Sequence, residues 1–264
     1  MSAPSSPSHA DEAPLLIVAA TEMELRDLLV ETRESRAIDG SAWPVAWTGR
    51  LRRRPVALVA CGVGKASAAS AVAWFAATLR PSACLMTGIA GAYVGAFVPV
   101  GSAVCAASET DLDAGVAYTD TITSLAEIPL PRVPASGRSY EDLDRGGDRG
   151  GDLFEVFPTD PGWTSALSGA CGTVPVPFAT SDAIAGDLDV AASRAARSGA
   201  AIESMEGAGA ALACARLGLP FAQVRGVSNV AGVRDKAAWN VGSAVRAGSS
   251  ALLAALGRPT VPLE

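Results

Sequence analysis

The segment AIESMEGAGAA, residues 201 to 211, sets two carboxylates, Glu203 and Glu206, at the edge of an Ala-rich helical pattern, and no Lys or Arg follows them before Arg216. An acid at a helix N-terminus complements the macrodipole, which is one reason for Glu206 to stand there. The other is chemical, because a carboxylate can grip the two hydroxyls of a vicinal diol. A second stretch, QVRGVSNVAGVRDKAAWN (223 to 240), opens as a buried strand and breaks into small and charged residues around Asn229. An amide at a strand end can satisfy a turn or offer a ligand both a donor and an acceptor. Two glycine-containing turns also follow apolar runs. GVGKAS (62 to 67) has part of a dinucleotide-binding pattern, but Ser67 stands where the third Gly or Ala belongs, and the Walker A spacing is not met around Lys65. NAD is therefore discounted, leaving a tight strand-to-helix turn or a ligand contact. TGIAGAY (87 to 93) gathers small residues, which lets a ligand or another backbone approach closely. His9 is the only histidine and lies in the polar segment MSAPSSPSHADEAP. A Ser–His–Asp triad, a His-ligated zinc site and a catalytic imidazole are thus not expected. Chemistry has to rest on carboxylates, amides or backbone, with no metal.

Composition narrows the class. At 264 residues, 49% hydrophobic and 18% charged, the chain can bury one large core as a single domain. Its net charge of -6, from 27 acids against 21 bases, offers no positive field to nucleic acid or an anionic membrane. A small-molecule partner is expected. Cys61, Cys84, Cys105, Cys171 and Cys214 stand singly among Ala, Val and Gly with no CxxC pair, as suits small core residues and reduced thiols in a cytosol. The N-terminal segment has neither a basic start nor an apolar core, so no secretory signal is expected and residues 1–14 read as a mobile polar tail. The apolar segments are interrupted before they could cross a bilayer. A cytoplasmic protein without a membrane span is expected.

The elements that must position these residues alternate. PLLIVAA (14 to 20), PVALVACG (55 to 62), ACLMTG (83 to 88), VGSAVCAA (100 to 107) and FAQVRGVS (221 to 228) are short apolar runs bounded by Pro, Gly or polar residues, and read as buried strands. EMELRDLLVET, GKASAASAVAWFAATLR, EGAGAALACARLG and NVGSAVRAGSSALLAALG carry helical patterns, the third closed by Gly218 and Pro220. The order predicts a three-layer α/β/α fold. Residues 131–152, rich in Gly, Arg and Asp, read as a long flexible loop whose charges are solvated or which covers a site.

VAATEMEL, GVGKASAA, TGIAGAY, ESMEGA and VRGVSNVAG occur here in the order found in the purine nucleoside phosphorylase and nucleosidase superfamily, which the chain resembles from 15 to 256. RGVSNVAGVRDKAAWN is most similar to the futalosine hydrolase family, whereas MEGA marks only the superfamily. The resemblance implies a nucleoside phosphorylase-like fold with a central mixed sheet over residues 15–256, a C-terminal tail at 257–264, and a homodimer or larger homo-oligomer. It also implies a cofactor-free enzyme that hydrolyses futalosine to hypoxanthine and dehypoxanthinyl futalosine, in menaquinone biosynthesis. By the same resemblance Glu24 positions and deprotonates water, against its plain reading as an exposed acid in a helix's first turn. Glu206 holds the ribose hydroxyls beside Met205, and Asn229 faces the purine N7 and the group at C6. Gly88, Ile89, Ala90, Gly91, Ser204 and Ser228 would line the nucleoside site.

Donor counting sharpens the role of Asn229. The adenine-cleaving nucleosidases have Asp there, and a carboxylate would meet the oxygen of a 6-oxopurine lone pair to lone pair. An amide can donate to O6 while its carbonyl accepts from N7–H, so Asn favours hypoxanthine. Ile184 stands where the adenine-specific relatives have a stacking Phe, and Phe178 is a possible substitute. Phosphorylases carry Arg and Ser in the loop matching LMTGIAGA and a cation near the position of Glu24; Met86, Ile89 and an acid make a poor phosphate site, so water is the expected acceptor. A phosphorylase, an adenine nucleosidase or a non-catalytic nucleoside-binding protein on the same fold are the alternatives. For the aromatic carboxylate on the 5′ side of futalosine, Arg132, Arg138, Arg234 and Lys236 are all conceivable partners, with no spacing rule to choose among them.

Overall fold

A computed structural model describes residues 13–257 apart from 40, 41, 44, 120 and 136–150. Its first strand, β1 (Leu15–Ala19), lies inside the sheet and is buried along its whole length. Leu15, Ile17 and Ala19 join one core cluster with Leu25, Leu85 and Leu252, while Leu16 and Val18 join another with Val72, Phe75 and Met86. A continuous apolar run is what a strand covered on both faces requires, since successive side chains point to opposite sides. β1 pairs in parallel with β4 (Arg54–Ala60) and β5 (Ala83–Met86), and β5 in parallel with β13 (Phe221–Val230). Outward from β4, the strands β3 (Ala46–Leu51) and β2 (Arg33–Ala37) add antiparallel to the edge.

The other half of the sheet curls. β13 pairs with β6 (Ile89–Ala92), β6 with β12 (Ile202–Ser204), β12 with β11 (Val176–Thr180), and β11 with β7 (Ala103–Asp111). β7 then returns to β13 antiparallel, Cys105 opposite Val224, so these five strands close a ring. β10 (Val156–Pro158) lies along β7, and β8 (Gly115–Ala117) with β9 (Ile122–Ser124) forms a separate hairpin.

Helices α1 (Glu22–Glu31), α3 (Pro161–Cys171) and α6 (Val241–Leu256) cover one face of the sheet; α2 (Lys65–Leu79) and α5 (Gly207–Leu217) cover the other. The fold is thus the expected three-layer α/β/α arrangement around a mixed sheet, and α5 ends at Gly218 in the left-handed region with Pro220 beyond. α3 and α4 (Leu188–Ser198) were not foreseen. Both carry signals: Asp160 and Asp187 each accept from a backbone N–H of their first turn at 2.8 Å, and Gly172 and Gly199 end them. α2 and α5 pack closely because position 209 is glycine; a Cβ there would overlap the carbonyl of Lys65. This contact presses the GVGK turn against the N-terminus of α5.

The four buried cysteines and half-buried Cys171 are all free. The two ends of the 131–152 segment are clasped together by a bridge between Val133 and Leu153 and by Ala135 N–H donating to Asp152 Oδ1 at 2.7 Å. Residues 136–150, with Arg138, lie outside the described residues, as do His9, most of the expected N-terminal tail and the C-terminal tail after Gly257. Among the described residues no helix is long and apolar enough to cross a membrane.

Candidate active site

Glu24 stands in the first turn of α1, held by three donors. Its Oε2 accepts from Thr21 N–H at 2.9 Å and Thr21 Oγ1 at 2.8 Å, and its Oε1 accepts from Ile89 N–H at 2.9 Å. The acid is buried, not exposed. The chain makes room for it at Gly88, whose φ of 134° suits glycine and whose absent Cβ would lie 2.6 Å from Glu24 Oε1 and 2.8 Å from Arg225 Nη1. Across from it, Glu206 caps α5 in the sense of position only, its Oε1 accepting from Gly64 N–H at 3.3 Å and its Oε2 from Arg225 Nη1 at 3.4 Å. Burial raises the Glu206 carboxyl above its ordinary pKa; Arg225 pulls it down and the Glu24 charge adds to the rise. Beside them, burial above all, with the Glu206 charge, pushes the Cys61 thiol up to about 12, so it stays neutral.

The absence of basic residues just after Glu203 and Glu206 does not leave these acids unpaired. Glu203 meets Arg194 at 3.1 Å and also accepts from Ala185 N–H and Tyr93 Oη. Glu206 meets Arg225, a fully buried arginine that was not singled out in the sequence. Its signal was a charge in the middle of a strand pattern, QVRGV, since a buried charge demands a partner. Beneath the site, Arg225 Nε donates to Gln223 Oε1 at 3.4 Å, Gln223 Nε2 donates to Glu109, and Thr180 Oγ1 donates to Glu109 Oε1 at 2.7 Å.

These elements enclose a cavity of about 200 Å³. Of the residues expected there, Glu24, Ile89, Ala90, Gly91, Ile184, Ser204, Met205, Glu206, Ser228 and Asn229 line it, joined by Ala20, Thr21, Met23, Val63, Glu203 and Trp239. Gly88 sits behind the lining, between Glu24 and Arg225. Phe178 does not reach it: fully buried, it packs in the core cluster of Ala90, Val104, Ile202 and Val227, whereas Ile184 lines the cavity. Among the described residues the lining holds three carboxylates and no Lys, Arg or His. A larger cleft of about 650 Å³ lies elsewhere among Arg33, Arg50, Arg52 and Arg53, but it brings together none of these acids or amides.

Residues 14–257 match the family model of the phosphorylase superfamily. A futalosine hydrolase of Thermus thermophilus is 35% identical over 222 residues, 83% of this chain and 90% of that protein. The chain belongs to the phosphorylase superfamily, in the futalosine hydrolase family. A second member of that family, from Streptomyces coelicolor, is 31% identical and aligns over 95% of this chain and 96% of its own length. The superfamily fold is also seen in a methylthioadenosine/S-adenosylhomocysteine nucleosidase of Colwellia psychrerythraea solved with adenine, which superposes with a TM-score of 0.75 at 20% identity, over 95% of this chain and 99% of that one.

In this futalosine hydrolase family member Asn229 has a defined orientation. Its Nδ2 donates to the Val230 carbonyl at 2.8 Å, and its Oδ1 lies 2.7 Å from Ser228 Oγ. A carbonyl only accepts, so the nitrogen must face Val230. Each amide atom then keeps one further hydrogen-bonding position for a ligand.

Proposed function

We propose that this protein hydrolyses the N-glycosidic bond of futalosine, a step of menaquinone biosynthesis, releasing hypoxanthine and dehypoxanthinyl futalosine without a cofactor. The observation that carries the reading is the charge of the cavity: Glu24, Glu203 and Glu206 line it, and no cation does so among the described residues. Carboxylate oxygens face the sugar while Arg194 and Arg225, paired with Glu203 and Glu206, stay outside the lining; this arrangement stabilises the ribosyl oxocarbenium ion that forms as the bond breaks and offers phosphate no cation among the described residues. Glu24 takes a proton from the water that attacks the anomeric carbon. Glu206 holds the ribose hydroxyls, with Met205 packed on the sugar. The bonding electrons leave with the purine, which takes up a proton from solvent at N7 as it departs; Asn229, an amide and no acid, donates to O6 and accepts from the N7–H so formed. The named activity of the two relatives supports the same substrate. The cysteine usage fits a cytoplasmic enzyme.

The test is base release from futalosine, aminofutalosine, inosine and methylthioadenosine, each with and without phosphate. Hypoxanthine from futalosine in phosphate-free, metal-free buffer is the expected result. Strict dependence on phosphate would overturn hydrolysis, and adenine release in preference to hypoxanthine would overturn the substrate.

A further inference from the structure

The acidic lining poses a problem for a substrate with an anionic arm, because the counter-charge has to come from outside it. The cavity opens past Met23 and Val63, 47% and 55% exposed, and half-buried Trp239 stands in the same wall. Most cations nearby are committed. Arg225 is engaged by Glu206, Arg194 by Glu203, Lys65 by Asp111 and Asp113, and Arg132 by Asp111. Arg132, one of the conceivable partners of the arm, is thereby neutralised.

Arg234 is placed differently. It is exposed, and its Cζ lies 5.0 Å from the centroid of the Trp239 ring. No carboxylate pairs with it among the described residues: its neighbour Asp235 turns back to accept from Ala237 N–H at 3.0 Å, capping the short 3-10 turn Lys236–Ala238. The indole is itself fixed, Nε1 donating to the Val233 carbonyl at 3.0 Å. A guanidinium with open hydrogen-bonding positions therefore rests on the ring that walls the cavity. Lys236 is also exposed but rests on no ring among the described residues.

We propose that Arg234, laid on Trp239, binds the carboxylate of the aromatic arm on the 5′ side of the ribose, while the indole packs against the arm's ring. The proposal rests on the futalosine reading above. The planar guanidinium fork matches a carboxylate with two parallel hydrogen bonds, and stacking on the indole orients it beforehand. Asn229 and Arg234 lie on one segment, so the same stretch of chain reads the base and the arm.

The test compares futalosine with its methyl ester in the wild type, Arg234→Gln and Arg234→Lys. In the wild type the acid should exceed the ester in kcat/KM by about tenfold, mostly through KM, and the advantage should shrink as salt is added because the pair is exposed. Arg234→Gln should abolish that advantage and Arg234→Lys should keep part of it. An acid-to-ester ratio unchanged in Arg234→Gln overturns the proposal and leaves the functional reading intact. A wild type that releases no hypoxanthine from futalosine overturns both.

Discussion

In the proposed reaction Glu24 would serve two purposes at once, as the base and as a hydrogen-bond acceptor for its own loop, which shapes what its replacement does. Both carboxylate oxygens accept backbone or hydroxyl hydrogens, Oε2 from Thr21 and Oε1 from Ile89. Glutamine has one acceptor atom, so Glu24→Gln leaves one of these donors facing an NH2 group. The variant should lose about 10²- to 10⁴-fold in kcat, as expected when a general base is removed, with substrate binding largely kept and stability lowered by about 1–3 kcal/mol. Single-turnover kinetics with thermal unfolding checks both; activity within about tenfold of wild type would mean that another group activates water. Asn229→Asp acts on selectivity. The variant replaces Nδ2 by an oxygen that faces both the Val230 carbonyl, a cost common to all substrates, and O6 of the purine. The ratio of kcat/KM for futalosine over aminofutalosine cancels the common cost. It should fall by about tenfold or more, at about 1–3 kcal/mol for each misplaced buried hydrogen bond. An unaltered ratio would show that Asn229 does not read the base.

At the scale of elements, the ring of strands under the site carries a group with a pH signature. Glu109 on β7 is wholly buried between Thr180 of β11 and Gln223 of β13. Burial pushes its carboxyl from 4.5 up to about 7, and the Asp111 charge adds a little; Thr180, Arg225 and Gln223 oppose the rise. Between those two values the folded protein holds a proton that the unfolded chain releases, so this group makes stability fall as pH rises from about 4.5 to about 7. Glutamine cannot ionise. The wild-type melting temperature should therefore drop more between pH 5 and 7.5 than that of Glu109→Gln, at about 2–4 °C per kcal/mol for a chain of this size. Equal slopes would mean that Glu109 does not titrate in this range. Legibility also differed among elements. β1 was evident because both of its faces are buried, whereas α3 and α4 were missed because their apolar faces are short and only their caps mark them.

For the molecule as a whole, resemblance to the superfamily leads to a homodimer or larger closed assembly. Light scattering at working enzyme concentration should give at least twice the 26.6 kDa of one chain, and an active monomer would refute it. By itself the sequence determined the layered α/β class, because apolar runs and helical patterns are local and report burial directly. Glu206 and Asn229 stood out by their side-chain chemistry and place in the segment, whereas Glu24 was reached only through the resemblance to the superfamily. Only the tertiary structure decided which groups face one another. It closed β13 onto β7, paired Glu206 with an arginine from another strand, withdrew Phe178 into the core and left Ile184 in the cavity. It also separated Arg132, bound to Asp111, from Arg234, laid on Trp239. Such pairings depend on strand register and helix packing between segments far apart in the chain, and hydrophobic periodicity along one segment carries no record of its neighbours across the sheet.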